Sequence, residues 1–296
     1  MDNENRVFLS VVLGAGLAAG AAFVNHKQDH RAENCTHSAG AEKELIRRMP
    51  EFLLDDRFRL VVQPVIELQT GKIVGAEVLS RLEHPEQGMI LPDRFIPAVE
   101  AAGLHAEFDC EIFRKSCILM HKLRQHRAKL QYLSCNFSRM TLSEPGTPDR
   151  LCRIAREIGV PHECMAVEIT ERARDTDNDQ FCENLIDLKK SGFRILVDDL
   201  GAGVTSLRDL WTYPVDVVKI DRSLLLAAET EQGRSVFCRL RDLADDLGCM
   251  VLCEGVETEA QHRFVVEAGC QYCQGFRFYR PMKDEQFLCL MNEKIE

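Results

Sequence analysis

The chain has 296 residues, 45% of them hydrophobic and 28% charged, with 37 Lys plus Arg against 47 Asp plus Glu and a formal net charge of −10. That balance excludes a wholly disordered chain, a collagen-like chain and a multispan membrane protein, and the length fits one large domain or two small ones. The acidic excess also argues against bulk nucleic-acid binding, which needs a basic face. A small phosphate ligand neutralised locally by metal ions stays compatible with it.

In chain order, the first feature is the uncharged stretch Val7 to Val24, VFLSVVLGAGLAAGAAFV. Eighteen uncharged residues lie at the short end of what spans a bilayer as a helix. Asp2, Glu4 and Arg6 precede it, whereas Lys27, Arg31, Lys43, Arg47 and Arg48 follow, so the positive-inside rule places the bulk of the chain in the cytoplasm. A membrane anchor is the favoured reading of residues 1–24, with a cleaved signal peptide and a buried core helix as alternatives. Residues 25–41 are polar and aperiodic and read as a linker, despite His26, His30, His37 and Cys35. A short helix is expected from Ala41 to Met49.

From there to residue 296, β-like apolar runs alternate with helical patterns. Strands are expected at 57–66, 73–82, 131–137, 164–170, 194–199, 215–220, 249–254 and 271–276, and helices at 106–127, 179–191, 231–248 and 257–268. Gln69-Thr70-Gly71-Lys72 joins the first two strands as an antiparallel hairpin. The later alternation implies right-handed βαβ units around a parallel sheet. Eight strands in roughly 240 residues give a (β/α)8 barrel with an irregular, antiparallel first strand, preceded by a single hydrophobic helix. The 13 cysteines are an odd number, mostly inside apolar runs such as Cys117-Ile-Leu-Met, and read as small buried hydrophobes. The one CxxC, Cys270 to Cys273, has no second pair to complete a zinc site.

A barrel gathers the C-terminal ends of its parallel strands at one mouth. Those ends here carry Glu77, Asn136, Glu168 with Glu171, Asp198 with Asp199, Lys219 with Asp221, Glu254 with Glu257, and Gln274. One such carboxylate is ordinarily a solvated loop residue. Many at one mouth repel each other unless cations neutralise them. Oxygen-rich, sulfur-free donors favour Mg²⁺ or Mn²⁺, and two such ions about 3.5–4 Å apart are a standard device for phosphodiester hydrolysis. Adjacent Asp198-Asp199 suits bridging, and one lysine among the acids can hold an attacking water or a phosphate oxygen.

At these residues the chain resembles the EAL-domain family of cyclic di-GMP phosphodiesterases, over about residues 42–296. The segments that carry the resemblance are Gln63-Pro64, Glu77-Val78-Leu79-Ser80-Arg81, Phe95-Ile96-Pro97, Asn136-Phe137-Ser138, Glu168-Ile169-Thr170-Glu171, Asp198-Asp199-Leu200-Gly201-Ala202-Gly203, Lys219-Ile220-Asp221, Glu254-Gly255-Val256-Glu257 and Gln274-Gly275-Phe276. The resemblance implies that Glu77, Asn136, Glu168 and Asp198 bind a first metal, and that Asp198 bridges to a second held also by Asp199. Glu254 would serve there as ligand or general base, Lys219 would position the water, and Glu171 would hold the loop after Asp198-Asp199. Arg81 would contact a substrate phosphate, with Gln63, Pro64, Leu79, Asp221 and Gln274 along the substrate and Glu257 in support. The implied reaction opens one phosphodiester of cyclic di-GMP to give linear pGpG. The resemblance also implies a homodimer and, with residues 7–24 as anchor, a single-pass protein of the bacterial inner membrane with its EAL domain in the cytoplasm.

Two departures stand out. The naming motif reads Glu-Val-Leu, not Glu-Ala-Leu, but strand alternation points Val78 away from the mouth. The loop Leu200 to Ser206 lacks the Thr and Tyr hydroxyls the family usually has at 202 and 204. A second class of function therefore stays open, a non-hydrolytic cyclic di-GMP receptor or protein-binding module. The retained acidic and lysine set weighs against it, because a pure binding module has no physical need of that set.

Overall fold

The computed structural model describes residues 40, 42–169, 179–200 and 207–293. A helix α1 over residues 42–54 leads into β1 (Phe58–Glu67) and β2 (Ile73–His84), which form the expected hairpin. Gly71 sits at φ +68° in its turn, a conformation that glycine adopts without steric cost. After β3 (Gly88–Ile90) come α2 (Pro92–Ala101) and α3 (His105–Gln125). The chain then alternates β4 (Tyr132–Phe137), α4 (Arg139–Leu142), α5 (Thr147–Ile158), β5 (Met165–Ile169), α6 (Asp179–Lys190), β6 (Arg194–Leu200), α7 (Leu207–Thr212) and β7 (Val217–Ile220). It finishes with α8 (Arg222–Ala227), α9 (Glu231–Asp246), β8 (Met250–Cys253), α10 (Glu259–Glu267), β9 (Tyr272–Cys273), β10 (Met282–Lys283) and α11 (Asp284–Glu293).

Around the sheet the order is β1-β9-β8-β7-β6-β5-β4-β2, and β2 pairs back to β1, so eight strands close into a barrel, with β3 and β10 added at its rim. Strand β1 is antiparallel to both neighbours, β2 and β9, while the pairs from β2–β4 round to β8–β9 are parallel. The expected (β/α)8 barrel with an antiparallel first strand is thus the fold. Closure leaves the barrel strands without a free edge. Their parallel members are covered on both faces, which is why Ile195-Leu196-Val197 reads as an unbroken apolar run.

Two apolar layers result. An outer core fills the space between strands and helices, for example where Phe58, Phe95 and Phe108 from β1, α2 and α3 meet edge-on or tilted at 4.9–5.8 Å between ring centroids. A separate inner cluster takes one residue from each barrel strand: Val65, Val74, Tyr132, Ala166, Leu196, Val217, Leu252 and Tyr272. Tyr132 reaches across the interior because Gly75 leaves room for it. A Cβ on Gly75 would lie 2.5 Å from the tyrosine Cζ.

Several boundaries differ from the sequence reading. The helix expected at 41–49 runs on to 54. The helix expected at 257–268 starts at Glu259, because Thr258 caps it in a reciprocal box with Gln261. The strand expected at 271–276 is only Tyr272–Cys273. The residues that follow, Gln274-Gly275-Phe276, do not extend it: Gly275 packs against the backbone of Val256, where a Cβ would come within 2.2 Å of the carbonyl oxygen, and the chain turns there. Cys270 and Cys273 are buried and free, and burial pushes both thiols up to about 12. The expectation of a single-pass inner-membrane protein is corrected: among the described residues no helix is long and apolar enough to cross a membrane. The 7–24 stretch that suggested it, the 25–39 part of the linker, Glu171 and the 201–206 loop all lie outside the described residues.

Candidate active site

Strand alternation builds the site from the apolar ring. Two residues beyond each of Tyr132, Ala166, Leu196, Val217, Leu252 and Tyr272 come Ser134, Glu168, Asp198, Lys219, Glu254 and Gln274. Period-two geometry keeps them on the same, inward face, one layer nearer the mouth. The hairpin adds Gln63 and Glu77, which face each other across the β1–β2 ladder. The barrel interior is therefore apolar below and strongly polar above.

Lys219 is the centre of that upper layer. Its side chain is 1% exposed, and its Nζ lies 2.5 Å from Glu168, 2.7 Å from Glu254, 3.1 Å from Asp198 and 3.3 Å from Glu77. Burial alone would lower the ammonium pKa, but Asp198, Glu168, Glu254 and Glu77 together outweigh it and hold the group well above the ordinary lysine range. The carboxylates feel the reverse. Burial and the like charge of Glu77 raise Glu168 against the pull of Lys219, and burial pushes Glu254 up to about 8. Four carboxylates around one ammonium leave an excess of three negative charges when all are ionised.

The neutral groups fix the geometry. Asn136 Nδ2 donates to Glu77 Oε1 at 3.1 Å, and Gln274 Nε2 donates to Glu77 Oε2 and to Gln63 Oε1, both at 3.0 Å. Gln63 Nε2 in turn donates to the Tyr279 carbonyl at 3.2 Å. Pro64, buried beside it, lies opposite Ala76 of β2 and sits where β1 changes its other partner from β10 (Val61, Val62) to β9 (Ile66, Glu67).

Asp198 and Asp199 do not alternate. The β6–β7 register shifts between Val197 and Leu200, and Asp199 takes φ +55°. This left-handed conformation costs an L-residue about 1–2 kcal/mol and, glycine aside, is tolerated best by Asn and Asp. The irregularity brings a carboxylate oxygen of Asp198, of Asp199 and of Glu254 within 4.8 Å of one another. Glu168 Oε2 and Gln274 Oε1 are buried with no hydrogen-bond partner. An all-oxygen donor set with a charge excess and an orphaned buried carboxylate oxygen fits hard divalent cations.

The structure thus brings Glu77, Asn136, Glu168, Asp198, Asp199, Lys219, Glu254, Gln63 and Gln274 together. Leu79 lines a cavity of about 230 Å³ with Gln63, Glu77, Glu254 and Gln274, and Arg222, Glu257 and Phe276 are also on its walls. Glu257 pairs with Arg222 at 2.9 Å. Asp221 caps α8 by accepting from the Ser223 N–H at 2.8 Å, and Arg81 Nη1 donates to the Ser80 carbonyl at 2.7 Å. Sequence reasoning missed Ser134, which the alternation of β4 points at, and the Tyr279 carbonyl, a backbone group with no sequence signal.

The EAL domain family model matches residues 46–281, and the chain belongs to the EAL-domain family. The chain is 34% identical over 235 residues to an uncharacterized protein of Mycobacterium tuberculosis, Rv1354c, covering 78% of this chain and 37% of that one. It is 30% identical over 232 residues to the cyclic di-GMP phosphodiesterase RocR of Pseudomonas aeruginosa, covering 78% and 59% respectively. The solved PaMucR phosphodiesterase in complex with c-di-GMP superposes with a TM-score of 0.75 at 29% identity, covering 82% of this chain and all but 1% of that one.

Proposed function

We propose that residues 42–296 form a metal-dependent phosphodiesterase that hydrolyses cyclic di-GMP to linear pGpG. The observation that carries this reading is the buried layer in which Glu77, Glu168, Asp198 and Glu254 surround Lys219, leaving an excess of three negative charges when all four are ionised. Such an excess is costly to bury unless cations offset it. The family membership and the named phosphodiesterase activity of RocR and PaMucR support the substrate.

In this reading Glu77, Asn136, Glu168 and Asp198 hold one divalent cation, Mg²⁺ or Mn²⁺, and Asp198, Asp199 and Glu254 hold the second. Two such ions supply Lewis-acid polarisation of the phosphate and an acidified water. Lys219 offers its N–H donors to the attacking water and to a phosphate oxygen, while the fixed carboxylates keep it charged. Glu254, raised towards neutrality by burial, is placed to take a proton from that water. Arg81 meets a substrate phosphate. Gln63, Pro64, Leu79, Asp221 and Gln274 border the nucleotide, Glu257 steadies the rim through Arg222, and Glu171 acts on the 201–206 loop. Water adds across one P–O bond, leaving a phosphomonoester and a free hydroxyl. A homodimer belongs to the same proposal, and Trp211, 62% exposed on α7, is the kind of large apolar side chain a subunit contact covers.

The test is to incubate the full chain with cyclic di-GMP and Mg²⁺ and to follow pGpG by chromatography. Glu77→Ala, which removes an anionic donor, should lower turnover by at least about a hundredfold. Binding of cyclic di-GMP without turnover in either Mg²⁺ or Mn²⁺ would instead establish the receptor reading.

A further inference from the structure

Asp109 lies on α3, outside the barrel wall, and takes no part in the chemistry described above. It is 5% exposed. Its Oδ2 accepts two hydrogen bonds, from the Ser138 backbone N–H at 2.9 Å and from the Thr141 hydroxyl at 2.6 Å. Burial pushes its carboxyl up to about 6, against the downward pull of those hydrogen bonds and of His105. Both donors belong to the start of α4, and Ser138 is its N-cap. Asn136 lies two residues earlier, at the end of β4, with its Nδ2 on Glu77. Asp109 and Asn136 also line one cavity of about 280 Å³, together with Glu77 and Asp198. A buried carboxylate spent on a backbone N–H and a hydroxyl is an expensive anchor for a four-residue helix. Its position is better explained by what the anchored segment carries.

We propose that Asp109 is a positioning residue for Asn136. By tying α3 to the chain just after β4, it fixes where the Asn136 amide meets Glu77, and thereby sets the affinity of the site for a divalent cation. This rests on the reading of Asn136 as a metal donor. Groups that orient ligands from behind commonly contribute ten- to a hundredfold in metal affinity.

The experiment titrates Mn²⁺ into the EDTA-stripped full chain, reading free Mn²⁺ by electron paramagnetic resonance, with turnover measured in parallel. Asp109→Leu, which keeps the branched shape and removes the acceptor, should weaken Mn²⁺ binding by about tenfold and leave kcat at saturating Mn²⁺ within about threefold of wild type. Asp109→Asn retains an oxygen that accepts both bonds and should bind within about twofold of wild type. Thr141→Val removes one donor and should fall between them, and it carries the test if the leucine variant does not melt cooperatively. If folded Asp109→Leu and Thr141→Val bind Mn²⁺ as wild type does, the proposal is overturned while the metal reading stands. A drop in kcat without a change in Mn²⁺ affinity also overturns it, as does a loss in Asp109→Asn equal to that in Asp109→Leu. A wild-type chain that binds no Mn²⁺ would overturn the metal reading and the role of Asp109 with it.

Discussion

Lys219 is the residue on which the electrostatics of the site turn. It touches four carboxylates within 3.3 Å, and removing one partner from a buried charge cluster typically costs about 3–5 kcal/mol. Lys219→Met should therefore lower the melting temperature of the metal-free chain sharply. If divalent cations share the neutralisation, millimolar Mg²⁺ should recover part of that loss, and a deficit of equal size with and without Mg²⁺ would contradict this. Turnover at saturating Mg²⁺ should fall by roughly 10²–10⁴, the usual value of a lost proton-handling or water-positioning group. At this scale much was legible in the sequence, because a carboxylate, amide or ammonium at a strand end announces the mouth it faces. The inverted backbone of Asp199 was not legible. Nothing in Asp198-Asp199-Leu200 distinguishes regular alternation from a bulge, and the shift is imposed by pairing with β7. Nor was the Tyr279 carbonyl that holds Gln63, since backbone acceptors leave no mark on side-chain identity.

Strand β2 carries both the motif glutamate and the position that departs from the family. Glu77 faces inward, whereas Val78 is 1% exposed in the outer core, as alternation requires. Val78→Ala restores the usual Ala of the family motif while deleting two methyl groups from a packed core. It should cost about 1–2 kcal/mol of stability and leave kcat unchanged within about twofold. A large change in kcat would show that the outer face of β2 does reach the chemistry. Gly75 tests the inner face in the same strand. Gly75→Ala drives a Cβ into the Tyr132 ring, and overpacking of this kind costs about 1–3 kcal/mol, to be read from denaturant unfolding. An unchanged midpoint would mean that the ring moves freely. The hairpin and most strands were legible from apolar runs and Thr70-Gly71. The early end of the last strand was not legible, because it is set by backbone contacts that leave no mark on side-chain identity: the Val256 N–H donates to the Gln274 carbonyl and the Arg277 N–H to the Val256 carbonyl.

Across the whole molecule, the barrel works as a scaffold that turns the alternation of its strands, broken on β2 by the register shift beside Val74, into two stacked layers, one apolar and one acidic. Strand count and strand–helix alternation made the fold legible, since short connections and right-handed crossovers leave few other closed arrangements. The role of Asp109 was not legible, because it depends on α3 meeting α4 across the outside of the barrel, a contact between segments 29 and 32 residues apart in sequence. The acidic layer makes its strongest demand here: the molecule should be incomplete without divalent cations. The direct measurement is the turnover of cyclic di-GMP by the EDTA-stripped full chain as Mn²⁺ is added back, with bound Mn²⁺ per chain counted in the same samples. No pGpG should form without metal, and turnover should rise to a plateau as occupancy approaches two ions per chain. Turnover that persists in EDTA, or two bound ions with no turnover, would contradict this.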